Sequence, residues 1–270
     1  MRHQNGELAR NLMFVLRNRF GCINAKVVAG ALDCPLFTED DELPITDFVI
    51  RWGSTLDIDC DKEFNKAASI RNSSNKGNCR QILSENNINV PKTFDTKESV
   101  NIFPVIGRRN YHFGGHGITV SNNYGDLVAD SNSQYWSEII AKEHEFRVYV
   151  VCNKCVAVSE KIPETLDTIA WNHSLGAKFV NVKWGDWLIE LVTIAINATN
   201  ILDLDFSAVD LMTIENDIYV LELNTAPRLE GYRAKCFTKV FEYMDLNGFD
   251  RLTIGGSNWK ELIHPSLYLP

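Results

Sequence analysis

Apolar and polar positions alternate along the first third of the chain in short blocks that predict strands and helices. Residues 11–17 form an apolar block typical of a strand, and residues 22–32 are apolar enough for a helix. The run at 46–53 closes on a glycine and indicates a buried parallel strand. Ser73 or Ser74 is positioned to cap a further helix. This alternation predicts a small α/β lobe at the N-terminus.

The middle of the chain is predicted to be mainly β-structure. Residues 103–123 indicate a strand, a glycine-rich loop and a second strand, and residues 135–141 indicate another strand. Residues 144–162 alternate in polarity around a short Asn153-Lys154 turn, which is typical of a β-hairpin.

The clearest helical period lies at residues 186–202, where apolar residues recur at steps of three and four and Asp186 occupies the N-cap position. A second hairpin follows, with its turn centred at Asn216-Asp217. The pattern predicts an α/β protein with a small N-terminal α/β lobe over residues 1–90.

Composition and charge narrow the class of protein. The chain has 270 residues, 45% of them hydrophobic, and its net charge of −8 disfavours nucleic-acid partners. No apolar stretch approaches the roughly 18 residues needed to cross a bilayer, and the polar start lacks the apolar core of a secretory signal. We therefore expect a cytoplasmic protein with no membrane partner. The seven cysteines are dispersed, as in a reduced protein, and the lone Cys152–Cys155 pair is expected to be buried in strands rather than to form a zinc or redox site.

The last hairpin carries the sharpest chemical signal. Because residues two apart in a strand share a face, Glu222 and Asn224 point the same way, and antiparallel register directs Asp210 toward them. Two carboxylates and an amide oxygen are the hard ligands that magnesium uses when it also holds nucleotide phosphates. From the hairpin alone, the solvated polar face of a surface ribbon explains the same residues equally well. The opposite face is expected to be core, with Val209, Leu211, Leu221 and Leu223.

A glycine-rich loop follows the strand that ends in Arg108-Arg109. Backbone N–H groups of such a loop close over phosphates, while a cation on the strand meets their charge. A simple glycine-rich hairpin turn is the more ordinary explanation of the loop taken alone. Its residues are Gly114, Gly115, His116 and Gly117.

The segment Glu138-Ile139-Ile140 is predicted to be extended and to offer backbone groups to an adenine ring. Glu145, a few residues later, carries a carboxylate suited to ribose hydroxyls. A plain strand with exposed acidic residues explains this segment as well when it is taken by itself.

The order of these motifs resembles the ATP-grasp superfamily. The resemblance rests on PVIGRRNYHFGGHGI, on EFRVYVV, on FSAVDLMTIENDIYVLELNTAPRLEG and, upstream, on NKGNCRQILSENNINVP, and it covers about residues 70–235. It is strongest to the group that contains ribosomal-protein glutamate ligases and phage-encoded carboxylate–amine ligases. It implies an α/β protein of α+β lobes with an ATP-grasp fold, in which two antiparallel-sheet lobes enclose ATP beside the small N-terminal α/β lobe. The central lobe, with the glycine-rich loop, would span residues 91–141, and the C-terminal lobe, with the metal site, would span residues 142–270.

The same resemblance implies roles for individual residues. Arg147 and Arg228 are expected near the transferred phosphoryl group, with two magnesium ions on Asp210, Glu222 and Asn224. The expected ATP contacts are Lys76, Arg108, Gly114, Gly115, His116, Gly117, Glu138, Ile139, Ile140, Glu145, Lys161 and Asn172.

This sequence departs from the family pattern at three positions. Arg108 occupies the place of a lysine, so its planar fork would meet the phosphates with different geometry. Trp171 stands where related ligases often have arginine, and Arg228 stands where glycine is usual.

The implied activity is ATP-dependent joining of a carboxylate to an amine through an acyl phosphate. The substrate would be a small molecule, a peptide or a protein. Its site is expected at Arg51 and Ser54, at the end of the strand over 46–53, together with Arg228 and Gly231. An Arg51-Trp52 pair that packs the lobes together explains the first position equally well.

Three other functions remain open from the sequence. A kinase would use the same nucleotide site but leave the phosphate on its product. A non-catalytic nucleotide-binding module would bind ATP without turnover. A zinc- or redox-dependent enzyme would act through Cys152 and Cys155.

Overall fold

The computed structural model contains three β-sheets with helices packed against them. It describes residues 13–19, 24–111, 117–165, 168–171 and 175–252. Within these residues no helix is both long enough and apolar enough to cross a membrane. The predicted fold class, α/β with antiparallel lobes, is confirmed.

The N-terminal sheet is parallel, and one helix crosses over it. These elements are β1 (Met13–Arg17), α1 (Ala25–Ala31), β2 (Leu36–Thr38), β3 (Phe48–Trp52) and β4 (Lys62–Phe64). The strand order is β2-β1-β3-β4. The central strands are apolar without alternation because both of their faces are covered. The strands predicted over 11–17 and 46–53 are therefore confirmed.

Two short helices lead out of this sheet: α2 (Ala67–Ser74) and α3 (Lys76–Glu85). Asn75 between them has extended backbone, and its side-chain oxygen accepts a hydrogen bond of 3.1 Å from the Asn78 N–H. The cap predicted at Ser73 or Ser74 was wrong. Ser73 belongs to the last turn of α2, where its hydroxyl donates to the Ile70 carbonyl.

The central sheet is antiparallel and small. Its elements are β5 (Thr93–Phe94), β6 (Val105–Arg108), β7 (Thr119–Ser121), α4 (Tyr124–Ala129) and β8 (Tyr135–Glu138), with the strand order β5-β8-β6-β7. The strand predicted over 135–141 ends at Glu138. The next four residues leave the sheet and run along a cleft.

The C-terminal sheet has five antiparallel strands and two long helices. They are β9 (His144–Val151), β10 (Lys154–Ile162), β11 (Lys178–Asn181), α5 (Ile189–Ile201), β12 (Phe206–Ile214), β13 (Asp217–Asn224) and α6 (Gly231–Asn247). The strand order is β11-β10-β9-β12-β13.

The central strands β9 and β12 are buried on both faces, so they cannot shift register without exposing apolar side chains. On one face Val148 and Val209 pack against α5 and α3. On the other face Tyr149 and Phe206 pack against α6 and against Trp52 of the N-terminal sheet. The sheet thus forms the rigid centre of the molecule.

Three local predictions were displaced by one to three residues. Cys152 and Asn153, both at positive φ (45° and 67°), form the β9–β10 turn, one residue before the predicted Asn153-Lys154. The β12–β13 turn is at 215–216, one residue before its predicted centre. Asp186 does not cap α5. It ends a separate 3-10 turn, and the helix begins three residues later without a side-chain cap.

Candidate active site

A cleft of about 1190 Å³ lies between the central sheet and the C-terminal sheet. Its described lining contains nine Lys or Arg side chains and five Asp or Glu side chains, an excess of four positive charges. The chain as a whole has a net charge of −8. A positively charged cleft in an acidic protein raises the local concentration of anions.

Two carboxylates face each other across the β12–β13 ribbon in the floor of this cleft. Asp210 and Glu222 are directly opposed residues, and Asn224, two positions farther along β13, lines the cleft beside them. The Asn224 side-chain amide donates a hydrogen bond of 3.1 Å to the Glu222 carboxylate. The predicted convergence of these three side chains is confirmed.

The ribbon contains a β-bulge that the alternation did not predict. Asp210 pairs with Glu222, but Leu211 pairs with Val220, so Leu221 is the extra residue on β13. The bulge turns Leu221 into the cleft, whereas it was predicted to face the core with Leu223.

Asp210 is the acceptor of a buried network of charges. Its carboxylate accepts hydrogen bonds from Arg147 Nε at 2.6 Å, from Arg147 Nη2 at 2.7 Å and from Lys161 Nζ at 2.7 Å. Lys161 also donates at 2.5 Å to Glu145. Burial by itself would lower the pKa of Lys161, but Asp210 and Glu145 outweigh it and raise that pKa. Burial likewise opposes the positive charge of Arg147, and the Asp210 carboxylate raises its pKa nevertheless.

Glu222 forms an ion pair with a different cation, Lys76. Lys76, the first residue of α3, lies 2.5 Å from the Glu222 carboxylate. Burial would raise the pKa of Glu222, but Lys76 first, then Lys161 and Arg147, hold it well below its usual range. Helix α3, which lies outside the sheet, thus places a lysine next to the β12–β13 ribbon.

The segment after β8 forms one edge of the cleft. Ile139 and Ile140 line it, and the Glu138 carboxylate accepts a hydrogen bond of 2.7 Å from the Lys92 N–H. Glu145 was expected to be an open acceptor for ribose. In the structure its carboxylate is buried between Lys142 and Lys161 and accepts a hydrogen bond from each, because the cleft gathers more cations than acids.

Arg108 ends β6 and lines the cleft, and its buried Nε has no hydrogen-bond partner among the described residues. A second arginine, Arg80 on α3, lies close by and was missed by sequence reasoning. It is four residues after Lys76, hence on the same face of the helix, and that spacing was the available signal.

Comparison with protein families identifies the chain. Residues 73–242 match the model of the RimK-like ATP-grasp domain.

The chain belongs to the RimK-like ATP-grasp family.

The predicted ATP-grasp resemblance is confirmed by this match. A curated relative, the coenzyme gamma-F420-2:alpha-L-glutamate ligase of Methanococcus maripaludis, is 24% identical over 192 residues, which are 63% of this chain and 65% of the relative. The chain therefore spans about two thirds of the length of the relative that it matches.

Solved structures establish the ATP-grasp fold. The ATP-grasp ligase PsnB, complexed with a minimal precursor, superposes with a TM-score of 0.62 at 13% identity, covering 86% of this chain and 98% of PsnB. The D-alanine–D-alanine ligase from Bacillus anthracis superposes with a TM-score of 0.59 at 14% identity, covering 95% and 97% of the two chains.

The ribbon residues of this ATP-grasp chain fit magnesium. In the described part of the molecule no group of three His, Cys, Asp or Glu side chains could hold a metal, so a third ligand must be an amide or backbone oxygen. Asn224 supplies one once its amide turns, since it now presents nitrogen to Glu222. Two carboxylates plus an amide suit an ion that keeps several waters and shares phosphate oxygens.

Four of the predicted nucleotide contacts lie outside the described residues: Gly114, Gly115, His116 and Asn172. Gly117, at the edge of the same loop, is described and has a φ of 69°, a conformation that favours glycine.

Arg51 and Ser54, predicted at the substrate site, do not line the cleft. Arg51 is fully buried in the N-terminal lobe, where its guanidinium donates to the Glu63 carboxylate at 2.6 Å and to the Leu56 carbonyl at 2.6 Å. Ser54 is also fully buried and donates to Glu39 at 2.8 Å. Arg51 therefore packs within the N-terminal lobe, and it is Trp52 of the Arg51-Trp52 pair that contacts the C-terminal sheet, where it stacks on Phe206. The neighbouring Gly53 lines the cleft instead.

Arg228 and Gly231 lie at the end of β13 and the start of α6. Arg228 lines the cleft and is half exposed, with its Nε 2.6 Å from Glu230. Gly231 begins α6 at a φ of 52° and is not among the lining residues. A residue that was not predicted, Arg233 in the first turn of α6, lines the cleft and lies over the Phe179 ring.

Cys152 and Cys155 are both buried, as predicted, but only Cys155 lies in a strand, because Cys152 belongs to the β9–β10 turn. Cys152 Sγ lies 4.0 Å from the Met244 sulfur, and Cys155 Sγ donates to the Ala157 carbonyl. Burial raises the pKa of both thiols, which opposes metal binding and thiol chemistry.

Proposed function

We propose that this chain is an ATP-dependent carboxylate–amine ligase that forms an amide bond through an acyl phosphate. One observation carries the proposal: two opposed carboxylates, Asp210 and Glu222, lie with Asn224 in the floor of a cleft that is otherwise rich in cations. An anionic ligand that binds together with magnesium would pair with both groups, because the ion would bind the carboxylates and the anion would meet the surrounding cations.

The nucleotide would lie between the two sheets. Apolar side chains that line the cleft, Ile106, Met212 and Leu221, supply surfaces for the base, and the extended segment at Ile139-Ile140 offers backbone groups at the cleft edge. Lys76 and Arg108 line the cleft, and we propose that they neutralise the phosphates.

The reaction would proceed in two steps. A carboxylate oxygen of the substrate attacks the γ-phosphorus, and the bond from that phosphorus to the bridging oxygen of ADP breaks. The amine then attacks the acyl carbon, phosphate leaves with its oxygen, and the nitrogen loses a proton. Asp210, Glu222 and Asn224 would hold magnesium, and the ion would supply positive charge to the phosphate oxygens.

The chain's own part is positioning and neutralisation. Arg147 and Lys161 are fixed by Asp210 and border the space in which the phosphoryl group would move. Their geometry is set by the sheet before any ligand binds, so little reorganisation is needed during reaction. Two magnesium ions are expected from the family resemblance, and titration of the metal would test that number.

The substrate is proposed to be an amino acid, a peptide or a protein. Arg228 and Arg233 line the cleft near the start of α6 and supply cations for a carboxylate. The names of the relatives agree with this range, since one is a glutamate ligase and another binds a precursor.

Product analysis tests the proposal directly. The protein, ATP and magnesium are incubated with pooled amino acids and peptides, and ADP, free phosphate and new amide products are quantified by mass spectrometry. A ligase releases ADP and phosphate in equal amounts and only when both substrates are present. ADP without free phosphate would indicate a kinase, and ATP binding without turnover would indicate a binding module.

Glu222→Ala is expected to lower turnover by about 100-fold or more, because the metal contribution to phosphoryl transfer is lost. Glu85→Ala is the matched control, since Glu85 is an exposed acid on α3 that accepts a hydrogen bond from Gln81. Circular dichroism verifies that both variants are folded. Full activity of the Glu222 variant would refute the proposed metal site.

A further inference from the structure

Arg80 is a buried cation without a buried anion. Only 3% of the residue is exposed, and it lines the cleft from α3. Its Nε donates to the Leu221 carbonyl at 3.3 Å, on the bulge of the metal ribbon. Its Nη1 is buried and has no hydrogen-bond partner among the residues that the structure describes.

Such an arrangement is costly in the absence of a ligand. A buried guanidinium normally pairs with a carboxylate, and in the described chain no carboxylate lies within ion-pair distance of Arg80. Burial is the largest effect on the pKa of Arg80 and lowers it; Arg108 also lowers it, whereas Tyr135 and Glu222 act in the opposite direction. An anion bound in the cleft would offset the cost of burying this charge.

Arg108 reinforces this arrangement from the opposite wall. Arg80 lies 5.8 Å from the centre of the Tyr135 ring, and Tyr135 is the β8 residue directly paired with Arg108 on β6. The Arg108 Nε is also buried without a partner. Two guanidinium groups with unused donors therefore border one region of the cleft.

Position along α3 indicates which part of an anion they would meet. Lys76, one helical turn before Arg80, already contacts Glu222 at the ribbon. One turn is about 5.4 Å, so Arg80 lies farther from the carboxylates than Lys76 does. Within the proposed nucleotide site, Lys76 would bind the phosphates next to the metal, and Arg80 would bind the phosphate nearer the nucleoside.

We propose that Arg80 is a phosphate-binding residue of the nucleotide site and that, together with Arg108, it holds the phosphate attached to the ribose. The inference rests on the proposed function but adds a contact from a helix that the sheet-based motifs do not include.

Nucleotide binding by isothermal titration calorimetry tests this role. ATP, ADP, AMP and adenosine are titrated in the presence of EDTA, so that metal does not contribute. Arg80→Met is expected to weaken ATP, ADP and AMP by about 10- to 100-fold each, the range of a charged hydrogen bond, and to leave adenosine within about twofold.

Arg71→Met is the matched control, because Arg71 is a half-exposed arginine on α2 that pairs with Asp57 away from the cleft. It is expected to bind all four ligands like the wild type. Arg80→Lys keeps the positive charge but not the planar guanidinium. Its affinities for ATP, ADP and AMP should therefore fall less than those of Arg80→Met, again with adenosine least affected.

Thermal unfolding separates binding from folding. Removing an unpaired buried charge should leave the unfolding midpoint of Arg80→Met unchanged or higher. Equal losses for adenosine and ATP, a loss confined to ATP, or unchanged AMP binding would each overturn the proposal. If Arg80→Met does not fold, the ligand order of Arg80→Lys decides. Wild-type protein that binds none of the nucleotides, either in EDTA or with magnesium added, would refute the proposed function and this inference together. Wild-type binding with unaffected Arg80 variants would refute the inference alone.

Discussion

Replacing Asp210 with asparagine removes the common acceptor of the buried cation network. Arg147 and Lys161 together direct three hydrogen bonds to this carboxylate, with donor–acceptor distances of 2.6 to 2.7 Å. The Asp210 side chain is 4% exposed, so water has little access to solvate the cations that lose this carboxylate. Asparagine keeps the volume and one oxygen, and the change is therefore electrostatic.

The magnitude follows from the partners left behind. Breaking one side of a buried ion pair costs about 3–5 kcal/mol because a charge remains without its counter-ion. Lys161 retains Glu145 as an acceptor, which favours the lower end, about 3 kcal/mol. In a chain of this size that corresponds to a fall of roughly 6–12 °C in the unfolding midpoint.

Differential scanning calorimetry without nucleotide or metal measures this effect alone. Asp40→Asn is the matched control, because its ion pair with Arg19 has side chains 55% and 63% exposed, and its midpoint should move by no more than about 2 °C. Adding Arg147→Met to Asp210→Asn should restore part of the loss, since Arg147 is the cation that is left without its counter-ion. A midpoint equal to that of the wild type in Asp210→Asn would refute the account of the network.

Two further outcomes are expected. The pKa of Glu222 is held well below its ordinary 4.5. Its contribution to stability is therefore fully present above about pH 4.5 and is lost as pH falls through the folded-state pKa. The difference in free energy of unfolding between wild type and Glu222→Gln should accordingly be constant from about pH 5 to 7 and shrink in more acidic buffer. An unchanged gap at low pH would contradict the Lys76–Glu222 pairing. Because burial raises the pKa of Cys152 and Cys155, neither thiol should be alkylated by iodoacetamide at pH 8 until the protein unfolds, and peptide mapping that found either one labelled in the native state would show that the β9–β10 hairpin opens.

Elements governed by local periodicity were predictable from the sequence. The two hairpins and the parallel strand at Phe48–Trp52 follow from period-two alternation and from a continuous apolar run, and both patterns depend only on neighbouring residues. The predicted turn set Asp210 opposite residues 222 to 224, and the structure pairs it with Glu222. This pairing depends on the bulge, because regular pairing from the observed turn would set Asp210 opposite Leu221.

Features that depend on distant partners were not predictable. Arg51 is held by Glu63 and by the Leu56 carbonyl inside the lobe, which no local pattern signals. The bulge at Leu221 leaves the alternation of residue types intact and changes only which face one side chain takes. Glu145 becomes a partner of lysines because the fold brings Lys161 beside it, sixteen residues away in sequence.

The most direct measurement is electron paramagnetic resonance of Mn²⁺, used in place of magnesium, with a non-hydrolysable ATP analogue. Wild-type protein should immobilise Mn²⁺ in the presence of the analogue, and Glu222→Ala should lose most of that signal while Glu85→Ala keeps it. Immobilised Mn²⁺ of equal amount and affinity in the Glu222 variant would contradict the claim that the β12–β13 ribbon holds the metal–nucleotide complex.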